Sequence, residues 1–224
     1  MNQWQALRLS VYRRSKEQRI RQRRVNRKTT EKAVGNDSEM GFSTASLGDR
    51  RYELTVALPH RDHDAVMTLY AHYFLASELM FKNYKKLIAK RDKQGRLSRK
   101  SRVEQSIYFS SWLGFLAVTA EGFKRLKVRK LMKDDRPSDF VELIPEADKL
   151  GKFLKKHDDA LRRFRNNVFH LRDNTEEIER FFREQPNRLE WAEELQTKFS
   201  EMFSNYRIIC QTYYILEGRK EEII

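Results

Sequence analysis

Arg165, Asn166 and His170 stand in the string ALRRFRNNVFHLRDN as Arg-Asn-x-x-x-His. A histidine that titrates near neutrality can take or give a proton, and an arginine holds two phosphate oxygens bidentately without titrating. An asparagine amide can orient either the imidazole or a phosphate oxygen. Such groups are compatible with RNA cleavage, because RNA carries its own nucleophile, the 2′-OH. Cleavage then requires a base for that hydroxyl, an acid for the leaving 5′-oxygen and a cation for the charged phosphorane. None of these steps calls for a metal ion. An Arg four to six residues before a His is common by chance, but requiring Asn directly after the Arg at this one spacing lowers the chance count to roughly 0.02.

The other histidines offer less. His60 and His63 with Asp62 and Asp64 resemble a ligand cluster, but they follow Pro59 at a helix start, where Asp is favoured for capping, and no distant fourth ligand presents itself. His72 falls on an apolar helical face and is expected in the core. His157, in LKKHDDALRR, falls on the polar side and is expected in solvent. Cys210 is the single cysteine, so neither an intrachain disulfide nor a cysteine metal knuckle is expected, which fits a reducing cytoplasm. No cofactor or metal is called for.

The elements that must position the Arg-Asn-His group are helical. The 224 residues include only 8 Gly and 4 Pro, few turns for the length, and long helices follow. Charged residues make up 35% and apolar ones 39%, enough for one core under a heavily charged surface. The apolar stretch from Ile107 to Ala120 falls well short of the roughly 20 residues that cross a bilayer. Arg13, Arg14, Lys16, Arg19 and Arg21 interrupt any secretory h-region, so neither membrane insertion nor secretion is expected.

Helical periodicity runs from Asp62 to about Lys90 through Ala65, Leu69, His72, Tyr73, Ala76, Leu79, Met80, Tyr84, Leu87 and Ile88. After the turn KRDKQGRLSRKSR, Ser98 or Ser101 caps a second helix that reaches Leu126 and is the most apolar, hence central. Pro145 opens a third, whose stripe Leu150, Leu154, Leu161, Phe164, Val168 and Leu171 ends near Asp173. A short amphipathic piece, Thr175 to Glu184, precedes Pro186, and a last helix runs from Leu189 to Gly218. The expected architecture is all-α: an antiparallel bundle of four long helices plus short ones, over residues 62–224. Before it come a basic arm, 1–34, and a linker with an extended segment, 35–61, in which Tyr52, Leu54, Val56 and Leu58 alternate as one short strand or a packed arm.

Net charge is +14, from 46 Lys or Arg against 32 Asp or Glu. Residues 1–34 hold eleven of those cations against Glu17 and Glu31, a local +9 that includes Arg13, Arg14, Arg19, Arg21, Arg23 and Arg24. This arm is either a helix with a thin apolar edge (Trp4, Leu7, Val11) or a tail that orders on contact. The turn from Lys90 to Arg102 adds a local +6, with Arg96, Arg99, Lys100 and Arg102 as phosphate contacts. Such clusters hold phosphates without reading sequence, and RNA is the expected partner.

Taken together, the Arg165-Asn166-x-x-x-His170 string, the upstream run SSWLGFLAVTAEGFKRL with Glu121 and Gly122, and the helix that follows resemble the HEPN family over residues 62–217. The family's R-x(4–6)-H hallmark, often with Asn after the Arg, implies a helical bundle acting as a metal-independent RNA endonuclease in a homodimer. It also implies a toxin or antiviral defence role with a possible antitoxin or sensor protein, or else a non-catalytic RNA- or partner-binding scaffold. By this resemblance Arg165 and His170 are catalytic, with Asn166, and Glu121 fixes Arg165. Many members carry a Tyr two residues beyond the His, whereas this chain has Arg172. On a regular helix Arg165 and His170 lie about 140° apart while Asn166 and His170 share a face, so a two-fold dimer would bring both helix ends to one cleft. The plainer alternative is that Arg165 pairs with an acid such as Glu121 or Asp158 and His170 caps the helix end. A third is a helical DNA-binding or architectural protein in which the arm does everything and the Arg-Asn-His string is coincidence.

Overall fold

The computed structural model describes residues 57–169, 181 and 187–223, and these are helical with no strand among them. The basic arm, the alternation at Tyr52 to Val56 and the amphipathic piece apart from Phe181 lie outside the described residues. Helix α1 starts as Ala65–Leu69, passes through a π-helical turn at Tyr70–Phe74 and continues as Leu75–Gln94. Asp64 caps it, accepting from the Val66 and Met67 amides at 2.8 and 3.2 Å. Gly95, in the left-handed region at φ 71°, ends it. The Ser98 hydroxyl accepts the Ser101 amide at 3.2 Å and opens α2, Arg99–Arg125. Helix α3 (Val128–Asp134) and a 3-10 turn (Ser138–Leu143) lead into α4, Ile144–Leu154, with Pro145 in its first turn. Helix α5 spans Asp158–Phe169, and α6 runs Arg188–Glu217 to a left-handed Gly218.

The single third helix expected from Pro145 to Asp173 is two helices. Leu154 and Leu161 are both buried, so the apolar stripe is continuous. The break at 155–157 comes from local chemistry: Asp158 and Asp159 supply acid to a new first turn, where it complements the exposed amides.

Helix α2 is central, touching α1, α3 and α5. The loop Gly95–Ser98 folds α1 back along it, and the facing residues run in opposite senses: Leu69 against Gly122, Phe81 against Trp112 and Tyr84 against Phe109. A Cβ on Gly122 would meet Leu69 Cδ1 at 2.3 Å, so the missing side chain lets the two backbones close up. Helix α6 covers both. Phe74, Phe199 and Phe203 stack between α1 and α6, and Gln196 Oε1 accepts from Ser77 Oγ at 2.7 Å and from Trp112 Nε1 at 3.1 Å, tying three helices at one buried atom.

The π turn explains why His72 is exposed rather than in the core. Buried positions on α1 run Val66, Met67, Leu69, Phe74, Ser77 and Tyr84. The five-residue step from Leu69 to Phe74 is the wide π turn, and it rotates the apolar face away from His72, Tyr73 and Leu79.

A charged knot lies at the start of α1. Asp64 is fully buried, Arg136 Nη2 lies 3.1 Å from its Oδ2, and the Tyr206 hydroxyl donates to the same oxygen at 2.7 Å. Arg136 Nε donates to the Tyr206 oxygen at 2.8 Å. Burial together with the Asp64 charge pushes the Tyr206 phenol far above its ordinary range and keeps it a donor. Because Asp64 points inward to this knot, it is not available to a ligand cluster with His60 and His63.

Candidate active site at the α2–α5 contact

Helix α5 crosses the C-terminal half of α2. Phe164, fully buried against Phe109 and Phe181, anchors its middle. Phe169 lies over Gly114, where a Cβ would sit 2.6 Å from its Cζ, and meets the Phe115 ring edge-on at 5.5 Å. These contacts fix the rotation of α5, and Arg165 thereby faces Glu121.

One nitrogen makes that contact. Arg165 Nη2 donates to Glu121 Oε1 at 2.8 Å and to Oε2 at 3.0 Å. Arg165 Nε is buried without an acceptor, and Nη1 is not engaged by Glu121. The side chains keep 24% and 32% of their surface, so the pair is open on one side. Asp158, the other acid considered for Arg165, instead pairs with Lys124 about one turn along α2. The Arg165–Glu121 contact is required both by a catalytic arginine held in place and by a purely structural ion pair.

Asn166 is half-buried beside Arg165 on α5. His170, the proposed proton carrier, and Arg172 lie outside the described residues, as do Arg13, Arg14, Arg19, Arg21, Arg23 and Arg24. The loop cations are displaced from the pair. Arg96, Arg99, Lys100 and Arg102 are exposed around the start of α2, whereas Glu121 is near its end. Nineteen residues of helix at 1.5 Å each separate Arg102 from Glu121, about 28 Å. One chain therefore does not gather the hairpin cations and Arg165 into a single site.

Much of the expected turn is itself helix, since Lys90, Arg91 and Lys93 end α1 while Arg99, Lys100 and Arg102 begin α2. The first set complements its helix dipole and the second opposes it. Arg91 contacts Asp92 at 3.4 Å and Lys100 contacts Glu104 at 3.9 Å, both weak exposed pairs.

His157 is half-buried, edge-on to Trp191 at 5.1 Å, rather than free in solvent. Partial burial, with Arg188 and Lys156 nearby, lowers its pKa and favours the neutral ring. Two polar groups that periodicity did not single out are the Asp64–Arg136–Tyr206 knot and a clasp at the chain's end. In the clasp Arg219 donates to the Leu58 and Pro59 carbonyls, each at 2.9 Å, and to Glu222. Glu222 in turn accepts the Arg61 amide at 2.6 Å.

Among the described residues no helix is long and apolar enough to cross a membrane. No protein-family model matches this chain, and no curated protein or solved structure matches it.

Proposed function

We propose that this protein is a metal-independent RNA endonuclease of HEPN type, built as a four-helix antiparallel bundle that pairs in a cytoplasmic homodimer. The observation that carries the reading is the half-open Arg165–Glu121 pair beside Asn166, one turn before His170 in the sequence. Glu121 would hold the guanidinium by Nη2 and leave Nη1 for a phosphate oxygen. His170 takes the proton of the 2′-OH, whose oxygen forms a bond to phosphorus. The P–O5′ bond then breaks, and the leaving oxygen takes a proton from an acid, for which His170 of either copy is the candidate. The products are a 2′,3′-cyclic phosphate and a 5′-OH. Arg165 opposes the charge that builds on the phosphorane, and Asn166 orients the imidazole or the phosphate. A toxin or defence role, with an antitoxin or sensor protein as regulator, follows from the same resemblance.

The second reading is a non-catalytic RNA- or partner-binding scaffold. Its support is that Glu121 already engages Arg165, and that Arg172 stands where a Tyr is common. Incubation of the purified protein with mixed RNA in excess EDTA separates the two. New 2′,3′-cyclic phosphate ends, lost in His170→Ala and reduced in Asn166→Ala, support the nuclease. RNA binding with no new ends in any protein preparation supports the scaffold.

A further inference from the structure

The π turn of α1 borders a cleft of about 430 Å³ on the side of the molecule where α1 meets α6. Its walls include Arg61, Asp62, Tyr70, His72, Leu75 and Arg207, over a floor that includes Met67. Arg207 is the informative residue. Its guanidinium lies 4.6 Å from the centre of the Tyr70 ring, and its Nη1 donates to the Tyr70 hydroxyl at 2.7 Å. Stacking and hydrogen bond together fix the plane of the fork. With Nη1 used and Nε buried out of a ligand's reach, Nη2 is the nitrogen left for an acceptor.

A guanidinium N–H that has no carboxylate partner fits an oxyanion. Three other half-buried or buried arginines have carboxylates: Arg136 has Asp64, Arg165 has Glu121 and Arg219 has Glu222. Arg207 and Arg61 have none among the described residues, although both line this cleft. Its one carboxylate, Asp62, lies 3.8 Å from His60 Nδ1. The charge excess in the cleft is therefore positive, next to the apolar surface of Met67 and Leu75.

We propose that this cleft is a binding site for a small phosphomonoester with an apolar body. The phosphate sits on Nη2 of Arg207 with Arg61 and His72 about it, and the body lies on Leu75 and Met67. The volume suits a ligand of this size, within the roughly 300–1,000 Å³ of small-molecule sites. The site is separate from the α2–α5 contact and does not depend on the nuclease reading.

The test is isothermal titration of the full-length protein with phenyl phosphate, inorganic phosphate and phenol. Phenyl phosphate should saturate one site per chain with a dissociation constant below about 1 mM. Inorganic phosphate should bind that site several-fold more weakly, and phenol should not bind. Arg207→Gln should weaken phenyl phosphate about tenfold or more, and Arg61→Gln by less, both with cooperative melting retained. Arg129→Gln, which changes an exposed arginine paired with Asp148, should leave the affinity unchanged. If Arg207→Gln does not fold, Arg61→Gln and Tyr70→Phe carry the comparison. The proposal is overturned by an absence of saturable binding, by phenol binding as well as phenyl phosphate, or by wild-type affinity in the folded cleft variants. A phosphotyrosine peptide binding far more tightly than phenyl phosphate would overturn the small-molecule assignment in favour of a modified protein.

Discussion

Glu121 on α2 takes both of its hydrogen bonds from a single nitrogen of Arg165 on α5, so the guanidinium is held by one corner while the carboxylate is occupied at both oxygens. The pair is partly exposed, which limits its worth to stability to at most about 1 kcal/mol. Arg165→Ala should therefore abolish RNA cleavage in EDTA with little change in melting temperature. Glu121→Gln, which keeps the shape and loses the charge, should lower the rate by a smaller factor. If Arg165→Ala unfolds the protein and its folded fraction cleaves at the wild-type rate, the pair is structural and the nuclease reading fails.

Gly114→Ala tests how α5 is held. Alanine favours the helical state over glycine by about 0.5–1 kcal/mol, but its Cβ would displace the tip of Phe169, the residue before His170. Phe169 is 43% exposed and has room to swing outward. The expected result is a melting temperature near or above wild type and a cleavage rate clearly below it. Unchanged cleavage would mean that the end of α5 does not aim the reacting group.

Replacing Arg96, Arg99, Lys100 and Arg102 together by Gln separates affinity from stability. Three of these cations sit in the first turn of α2, against its dipole, so their removal should leave stability unchanged or slightly raised. RNA affinity should fall, and the log–log salt slope should flatten by roughly 3 if all four meet phosphates of a single strand. An unchanged slope, measured by fluorescence anisotropy across a salt series, would remove the hairpin from the RNA path.

The Asp64 knot should resist dismantling from either side. Asp64→Ala leaves Arg136 buried without its counter-charge and should cost about 3–5 kcal/mol in urea unfolding. Tyr206→Phe removes one donor to Asp64 and should cost about 1–3 kcal/mol. A smaller loss for Asp64→Ala than for Tyr206→Phe would show that Arg136 finds water instead.

The clasp at the chain's end predicts a pH dependence. Hydrogen bonds from Arg219, and then from the Arg61 amide, hold the Glu222 carboxyl below the usual glutamate range against an opposing push from burial. Its folded pKa is thus depressed. Its contribution is complete above the unfolded value of about 4.3 and is lost as pH falls through the folded value. Urea melts should show wild type more stable than Glu222→Gln near neutrality, with the gap closing under acid. A gap that stays constant through the acid limb would mean that Glu222 contributes by shape rather than charge.

Several elements of this protein could be read from local chemistry. The run of α2 to Arg125 and the last helix from Arg188 to the left-handed Gly218 depend on residues within a turn of each boundary, and so does the cap of α2, which local sequence narrows to Ser98 or Ser101 and the structure places at Ser98. Cross-helix partners were only narrowed: Glu121 and Asp158 were both acceptable for Arg165. The seating of Phe169 on Gly114 sets the rotation of α5 that selects Glu121, and Lys124 takes Asp158. The division of the third helix at 155–157 leaves no trace in the apolar pattern because Leu154 and Leu161 keep the stripe in phase across it. His72 leaves the core position its spacing predicts because a π turn leaves no mark on a 3.6-residue period, yet rotates all that follows. The Arg207 cleft and the Asp64–Arg136–Tyr206 knot join residues 137 and 142 positions apart, so only tertiary packing could bring them together. The helical class and most caps follow from near neighbours along the chain. The partner of each charged group depends on which helices pack together, a choice that the periodicity of one helix does not contain.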